Sequence, residues 1–164
     1  MESFDISSWA DFFVASAGAS AALAGLVFVS ISINVERILE QPGLPEFALV
    51  TVLLLLQAMV VSLFGLIPDQ DGETLGLWLL IEFVVWAAVA GSMIYRSLAH
   101  MTTRVSLISR LIMPVLGSLP ILIGAIALLG GSDDGSVGWI AGGIIGSTAA
   151  AVINAWVLLV EIRR

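Results

Sequence analysis

One carboxylate stands inside an otherwise apolar stretch of this chain, and its chemistry is the first thing to account for. Glu82 lies seven residues into the run Leu75–Tyr95, about 10 Å along a helix rising 1.5 Å per residue. Carboxylates at such depth in a bilayer are expensive and are seldom accidental. Trp78 and Trp86 sit four residues to either side, so they share a helix face with Glu82 and can offer it indole N–H groups. Gln57, Ser62, Ser20 and Ser147 fall at broadly similar depths in other apolar runs, whereas every Arg lies near a run's end. With no cation in reach, Glu82 is expected to be protonated, to coordinate an ion, or to be hydrogen-bonded in a polar layer. Glu82, Gln57, Trp78, Trp86 and Ser20 are therefore the candidate proton or ion site. The competing use of the same residues is a static hydrogen bond that ties two helices together.

A second patterned group is Arg96, His100 and Arg104, spaced four residues apart, with Leu98, Met101, Val105 and Ile108 on another face. This spacing predicts a short amphipathic helix at the membrane surface, placed to meet lipid headgroups or a partner. Catalytic patterns are missing. The chain has one His and no Cys, so a His-pair zinc site and thiol chemistry are excluded. It contains no GxSxG, HExxH or phosphate-loop motif. No enzyme activity, metal or cofactor is expected. Asp69, Asp71, Glu73, Asp133 and Asp134 read as solvated loop charge.

The elements that must position these residues follow from composition. Of 164 residues, 59 % are apolar and 12 % charged, against about 45–50 % and 25 % in soluble domains. Mean hydropathy is +1.09. A soluble globule of this composition would have too little polar surface to cover itself. Six Arg against thirteen acids, with a net charge of −7, leave no basic face for nucleic acid. The chain reads as one integral membrane domain, residues 1–164, all helical.

A spanning helix needs about 20 apolar residues. Five stretches qualify, at roughly Asp11–Asn34, Phe47–Ile67, Leu75–Tyr95, Leu111–Leu129 and Gly138–Val160. Pro45 suits the first turn of span two, Pro68 closes it, and Asp71 or Thr74, Ser109 and Ser136 are the expected caps of the three later spans. Pro120 in Gly117-Ser118-Leu119-Pro120 is expected to kink span four. Threading five spans puts Arg37, Arg96, Arg104, Arg110, Arg163 and Arg164 on one side, and every Asp on the other. The positive-inside rule then predicts an external N-terminus and a cytoplasmic C-terminus. The acidic start and full-length first span argue against a cleaved signal peptide.

In lipid, small residues mark the faces where helices meet. Span five carries Gly138, Gly142, Gly146 and Ala150 at four-residue spacing, followed by Asn154, with Gly143, Ser147 and Ala151 beside them. Span one repeats that spacing at Ala17, Ala21 and Gly25, and from Ala15 to Gly25 every residue but Leu23 is Ala, Gly or Ser. Gly142 and Gly146 are expected to face a helix, with span one their neighbour and other helices surrounding it.

The run from Phe12 to Val29, continued by Ser32-Ile33-Asn34, resembles a group of small, mostly uncharacterised bacterial polytopic membrane proteins, some labelled as modulators of a membrane-bound protease. The resemblance implies a multi-pass protein of the bacterial inner membrane and no catalytic residues. Two functions follow as expectations. One is an accessory, regulatory or self-assembling subunit that docks another membrane protein or its own copies. The other is a small proton or cation channel or transporter centred on Glu82. A membrane enzyme ranks third, for want of an acid–base or nucleophile set.

Overall fold

The computed structural model describes residues 6–41, 44–98, 104–131 and 135–161. Among them only helices occur. A single 3-10 turn, Ser7–Trp9, leads into α1 (Ala10–Ile33); then follow α2 (Val35–Glu40), α3 (Leu44–Phe64), α4 (Gly72–Leu98), α5 (Arg104–Leu129) and α6 (Ser136–Glu161). Helical stretches Ser7–Ile33, Leu44–Phe64, Gly72–Ser92 and Ser136–Val160 are each long and apolar enough to cross a membrane, and α5 contains the shorter apolar stretch Gly117–Leu129 among the described residues. Leu26, Phe28, Ile33, Val84, Val85, Ile145 and Trp156 all face outward, as a protein solvated by lipid allows and one solvated by water does not. The chain is a helical membrane protein.

Local chemistry sets the junctions. Asn34 turns its side-chain amide back onto the Ser30 carbonyl at 2.8 Å, ending α1. The short α2, absent from the sequence reading, buries Ile38 against Ala48 and Leu158. After α3, Pro68 and Asp69 make a turn in which Asp69 adopts φ 53°, a left-handed conformation that Asp tolerates better than most residues. Asp71 then caps α4 by accepting the Thr74 backbone N–H at 2.7 Å. Gly131 and Gly135, at φ 71° and 83°, reverse the chain between α5 and α6. Ser109 lies inside α5 rather than capping it, because α5 already begins at Arg104. That helix continues through Pro120 to Leu129.

α6 is the central helix. It packs on α5 along one side and on α3 along the other, while α4 packs on α5 and meets α3 only lightly. Four helices thus form a ring, and α1 lies outside it against α3. The expectation that span one is enclosed is overturned. Only Phe13 and Ser20 of α1 are buried, and α1 touches α6 at few points. α1 is anchored by Phe13, whose ring lies over Gly65 so closely that a Cβ there would stand 2.9 Å from it, and by Leu23, Ala24 and Val27, which pack against the cluster of Leu54, Leu55, Ala150 and Ala151.

The small-residue ridge of span five needs a similar correction. Gly138 and Gly142 face outward, and a Cβ on either meets nothing within 4 Å. Gly146 is half-buried, whereas Ala150 and Asn154 are buried. Each four-residue step turns about 40° around a helix of 3.6 residues per turn, so a ridge this long winds from the lipid face to the interior. The contact face is the neighbouring one. At Gly143 a Cβ would strike the Ile121 side chain and stand 3.0 Å from the Gly117 carbonyl oxygen. At Gly117 it would strike the Ser147 hydroxyl and stand 2.9 Å from Ser147 Cα. Small residues on both helices let α5 and α6 close to backbone contact. Of the span-one positions, Ala17 is half-buried and Ala21 and Gly25 are exposed.

Candidate functional site, a polar layer beside a lipid-facing cleft

Each helix of the ring contributes one polar side chain at mid-depth: Gln57 from α3, Glu82 from α4, Ser118 from α5 and Ser147 from α6. Glu82 is ten residues from the start of α4, about 15 Å along its axis, inside the stretch Gly72–Ser92 that is long and apolar enough to cross a membrane.

Gln57 organises the layer. Its side chain is 2 % exposed. Its Oε1 accepts from the Ser118 hydroxyl at 3.0 Å and more weakly from the Ser147 hydroxyl at 3.5 Å. Gly117 makes the second contact possible by letting the α6 backbone approach at Ser147. With its oxygen committed to α5 and α6, the Gln57 amide turns its nitrogen away from them. The amide faces the Glu82 carboxyl without closing a hydrogen bond of ordinary geometry, and Nε2 is buried and unpartnered. Glu82 Oε2 and Trp86 Nε1 are likewise buried without partners. An unsatisfied buried polar atom costs about 1–3 kcal/mol, so three near one point are a concentrated unmet demand.

These groups line a cleft of about 360 Å³ between α3 and α4. Its walls include Leu53, Leu56, Val60, Ile81 and Val85, with Phe64, Trp78 and Trp86 supplying aromatic surface. Trp78 stacks on Phe64, ring centres 5.8 Å apart and planes 18° apart. That pair joins α3 to α4 at the end where α3 finishes and α4 starts. Along its length α4 follows α5 more closely than α3, and Trp86 packs against the buried cluster that includes Leu54 and Leu55 of α3.

The structure brings Glu82, Gln57, Trp78 and Trp86 together, and it separates Ser20 from them. Ser20 is buried between α1 and α6, its hydroxyl 3.5 Å from that of Thr148. Ser62 donates to the Ala58 carbonyl of its own helix. The indole of Trp86 lines the cleft but does not donate to Glu82. Ser118 went unrecognised as a member of the layer because its run was read for the Pro120 kink. Depth would have found it: Ser118 is eleven residues from the end of α5 and Ser147 eleven from the start of α6. Arg96 falls in α4 and Arg104 in α5; residues 99–103 between them, His100 included, lie outside the described residues.

Chemically, the cleft offers two N–H donors and one carboxyl. The Gln57 oxygen that might have joined Glu82 around a cation is already accepting from two hydroxyls. The donors that remain favour an acceptor atom over a metal ion. No family model matches the chain, and neither a curated protein nor a solved structure matches it.

Proposed function

We propose that the chain is a non-enzymatic accessory or self-assembling subunit of the bacterial inner membrane. In this reading it crosses five times, with the N-terminus outside and the C-terminus cytoplasmic. It docks a second membrane protein, or its own copies, through the outward face of α1 and the groove beside α6. The observation that carries the reading is that α1 turns small residues outward. Gly18, Ala19, Ala22 and Gly25 are exposed, and a Cβ at Gly18 or Gly25 meets nothing within 4 Å. Lipid gains little from such a surface, whereas another helix can approach it to backbone distance. Beside it runs a groove of about 500 Å³ between α1 and α6, with Ser16, Ala19, Ser20, Thr148 and Ala149 among its lining. Orientation is supported by the one-sided placement of all six Arg. The resemblance of the first span supports a bacterial membrane.

The test is Gly18→Leu combined with Gly25→Leu. Neither side chain has an intrachain neighbour to displace, so the melting temperature in detergent should stay at the parental value. The mass of the solubilised particle should fall, or a co-purifying protein should be lost. A variant with parental mass and parental partners would remove the docking face from consideration. Reporter fusions at Gly72 and the C-terminus check the orientation, the first expected to read external and the second cytoplasmic.

A further inference from the structure

We propose that the cleft between α3 and α4 binds a neutral, lipid-soluble molecule with a flat, carbonyl-bearing head, the chemical class to which prenylated quinones belong. This site is separate from the docking face of α1 and stands or falls without it.

Depth restricts what can enter. Glu82 lies about 15 Å along α4 from its start, within an apolar stretch long enough to cross a membrane, and the walls of the cleft are almost wholly apolar. A phosphate headgroup or a hydrated ion does not travel sideways through hydrocarbon to that depth. A molecule dissolved in the hydrocarbon does.

The polar groups restrict the head. Gln57 lines the cleft and is 2 % exposed; its oxygen is engaged by Ser118 and Ser147, and its Nε2, turned toward Glu82, is buried just beneath the lining without a hydrogen bond. Trp86 Nε1 is a second buried donor without an acceptor. A carbonyl oxygen has two lone pairs and can accept from both. Glu82 Oε2, the third unpartnered atom, can donate as an acid or accept as a carboxylate, so it accommodates a head bearing either a carbonyl or a hydroxyl.

The walls restrict the occupant's shape. Among the described residues no Gly, Ala or Ser lines the cleft. A partner helix, which approaches through small residues, is therefore held off by Leu56, Ile81 and Val85, all turned outward. The volume, about 360 Å³, falls in the usual range for small-molecule sites, roughly 300–1,000 Å³. It takes a head and the first part of a tail, and the rest of the tail stays in lipid. Phe64, Trp78 and Trp86 give that head flat surfaces to stack on.

The experiment uses the full chain in nanodiscs and two probes: a naphthoquinone with a short alkyl tail, and a naphthalene with the same tail and no carbonyls. Equilibrium dialysis against empty nanodiscs subtracts partition into lipid. The naphthoquinone is expected to bind saturably and about tenfold or more tightly than its carbonyl-free counterpart, the factor one well-made hydrogen bond supplies. Trp86→Phe keeps a ring and removes the N–H, and should weaken naphthoquinone binding about fivefold to tenfold. Leu56→Trp should abolish binding by filling the cleft from a lining position that is 38 % exposed, and its melting temperature in detergent checks that the fold is kept. Trp156→Phe, on an outward face of α6, should change nothing. Equal binding of the two probes overturns the proposal, as does naphthoquinone binding that stays at the parental value in Leu56→Trp.

Discussion

A methyl group added at Gly143 would strike Ile121 and stand 3.0 Å from the Gly117 carbonyl oxygen, whereas at Gly18, Gly25, Gly138 or Gly142 it would meet nothing within 4 Å. All of these glycines belong to small-residue patterns that look equivalent as sequence. The α5–α6 seam spends its small residues on backbone contact inside the chain. The outer face of α1 leaves its small residues to whatever lies outside. The cleft between α3 and α4 is a third case, walled by large side chains around polar atoms that lack partners. Small residues facing small residues make a seam, small residues facing lipid leave a docking face, and large residues around a polar floor leave a pocket.

The contrast breaks first at the seam. Gly143→Leu or Gly117→Leu should destabilise the fold by about 3 kcal/mol or more, since overpacking is felt most where backbone opposes backbone. Gly142→Leu, one residue away, should stay within about 0.5 kcal/mol of the parent. Thermal denaturation in one detergent checks all three. Equal losses at Gly142 and Gly143 would mean that α6 is turned differently from the seam described above.

Next in size is the attachment of α1. Phe13 is fully buried over Gly65, and Phe13→Ala should cost about 2 kcal/mol. That is below the roughly 3–5 kcal/mol typical of soluble cores, because lipid solvates an exposed apolar side chain as well as the core does. The expected sign is selective: accelerated hydrogen exchange or proteolysis in α1 with the ring of four helices unchanged. Uniform loosening would contradict a peripheral α1. Gln57→Leu comes third, at about 1 kcal/mol, near the scale of interhelical hydrogen bonds in membranes. Ser118 and Ser147 lose an acceptor, but a buried unpartnered Nε2 is removed as well, and the two effects partly offset.

Much of this was legible in the residues. Apolar run lengths located the helices, and the capping Asp71 and the deep carboxyl Glu82 were each visible from type and position. The rotation of each helix was not legible. Gly142 and Gly143 differ by about 100° around α6, and spacing alone favours either ridge. The choice is made by Gly117 and Gly124 on α5, which accept Ser147 and Ile140 at close range. Partner geometry is likewise what placed Ser20 beside Thr148 instead of Glu82, and what drew Ser118 into the polar layer. Helix α2 was missed because six residues with one buried apolar anchor, Ile38, carry no periodic signal.

The smallest expected effect is at the start of α4, the helix joined to α3 near that end by the Phe64–Trp78 stack. Asp71 is fully exposed in the turn before that helix. The Thr74 side chain hydrogen-bonds its carboxyl, and the Thr74 backbone N–H donates to it as well, so its pKa is held below the ordinary 3.8. A carboxyl whose pKa is lower folded than unfolded binds fewer protons in the folded state. Its contribution is therefore complete above the unfolded value and is lost as pH falls through the folded one. The window lies below about pH 4. Because the group is solvated, the loss should be local: fraying of the first turn of α4, read as faster amide exchange at Thr74 and Leu75, with little change in the global melting temperature. Asp71→Asn keeps an N-cap oxygen but cannot titrate, so its exchange rates should lack the parent's extra protection above pH 4 and show no step below it. Identical pH profiles for the two proteins would show that the charge of Asp71 does not hold this end of α4. The stacked pair of Phe64 and Trp78 would then be what fixes where α4 departs from α3 and the cleft begins.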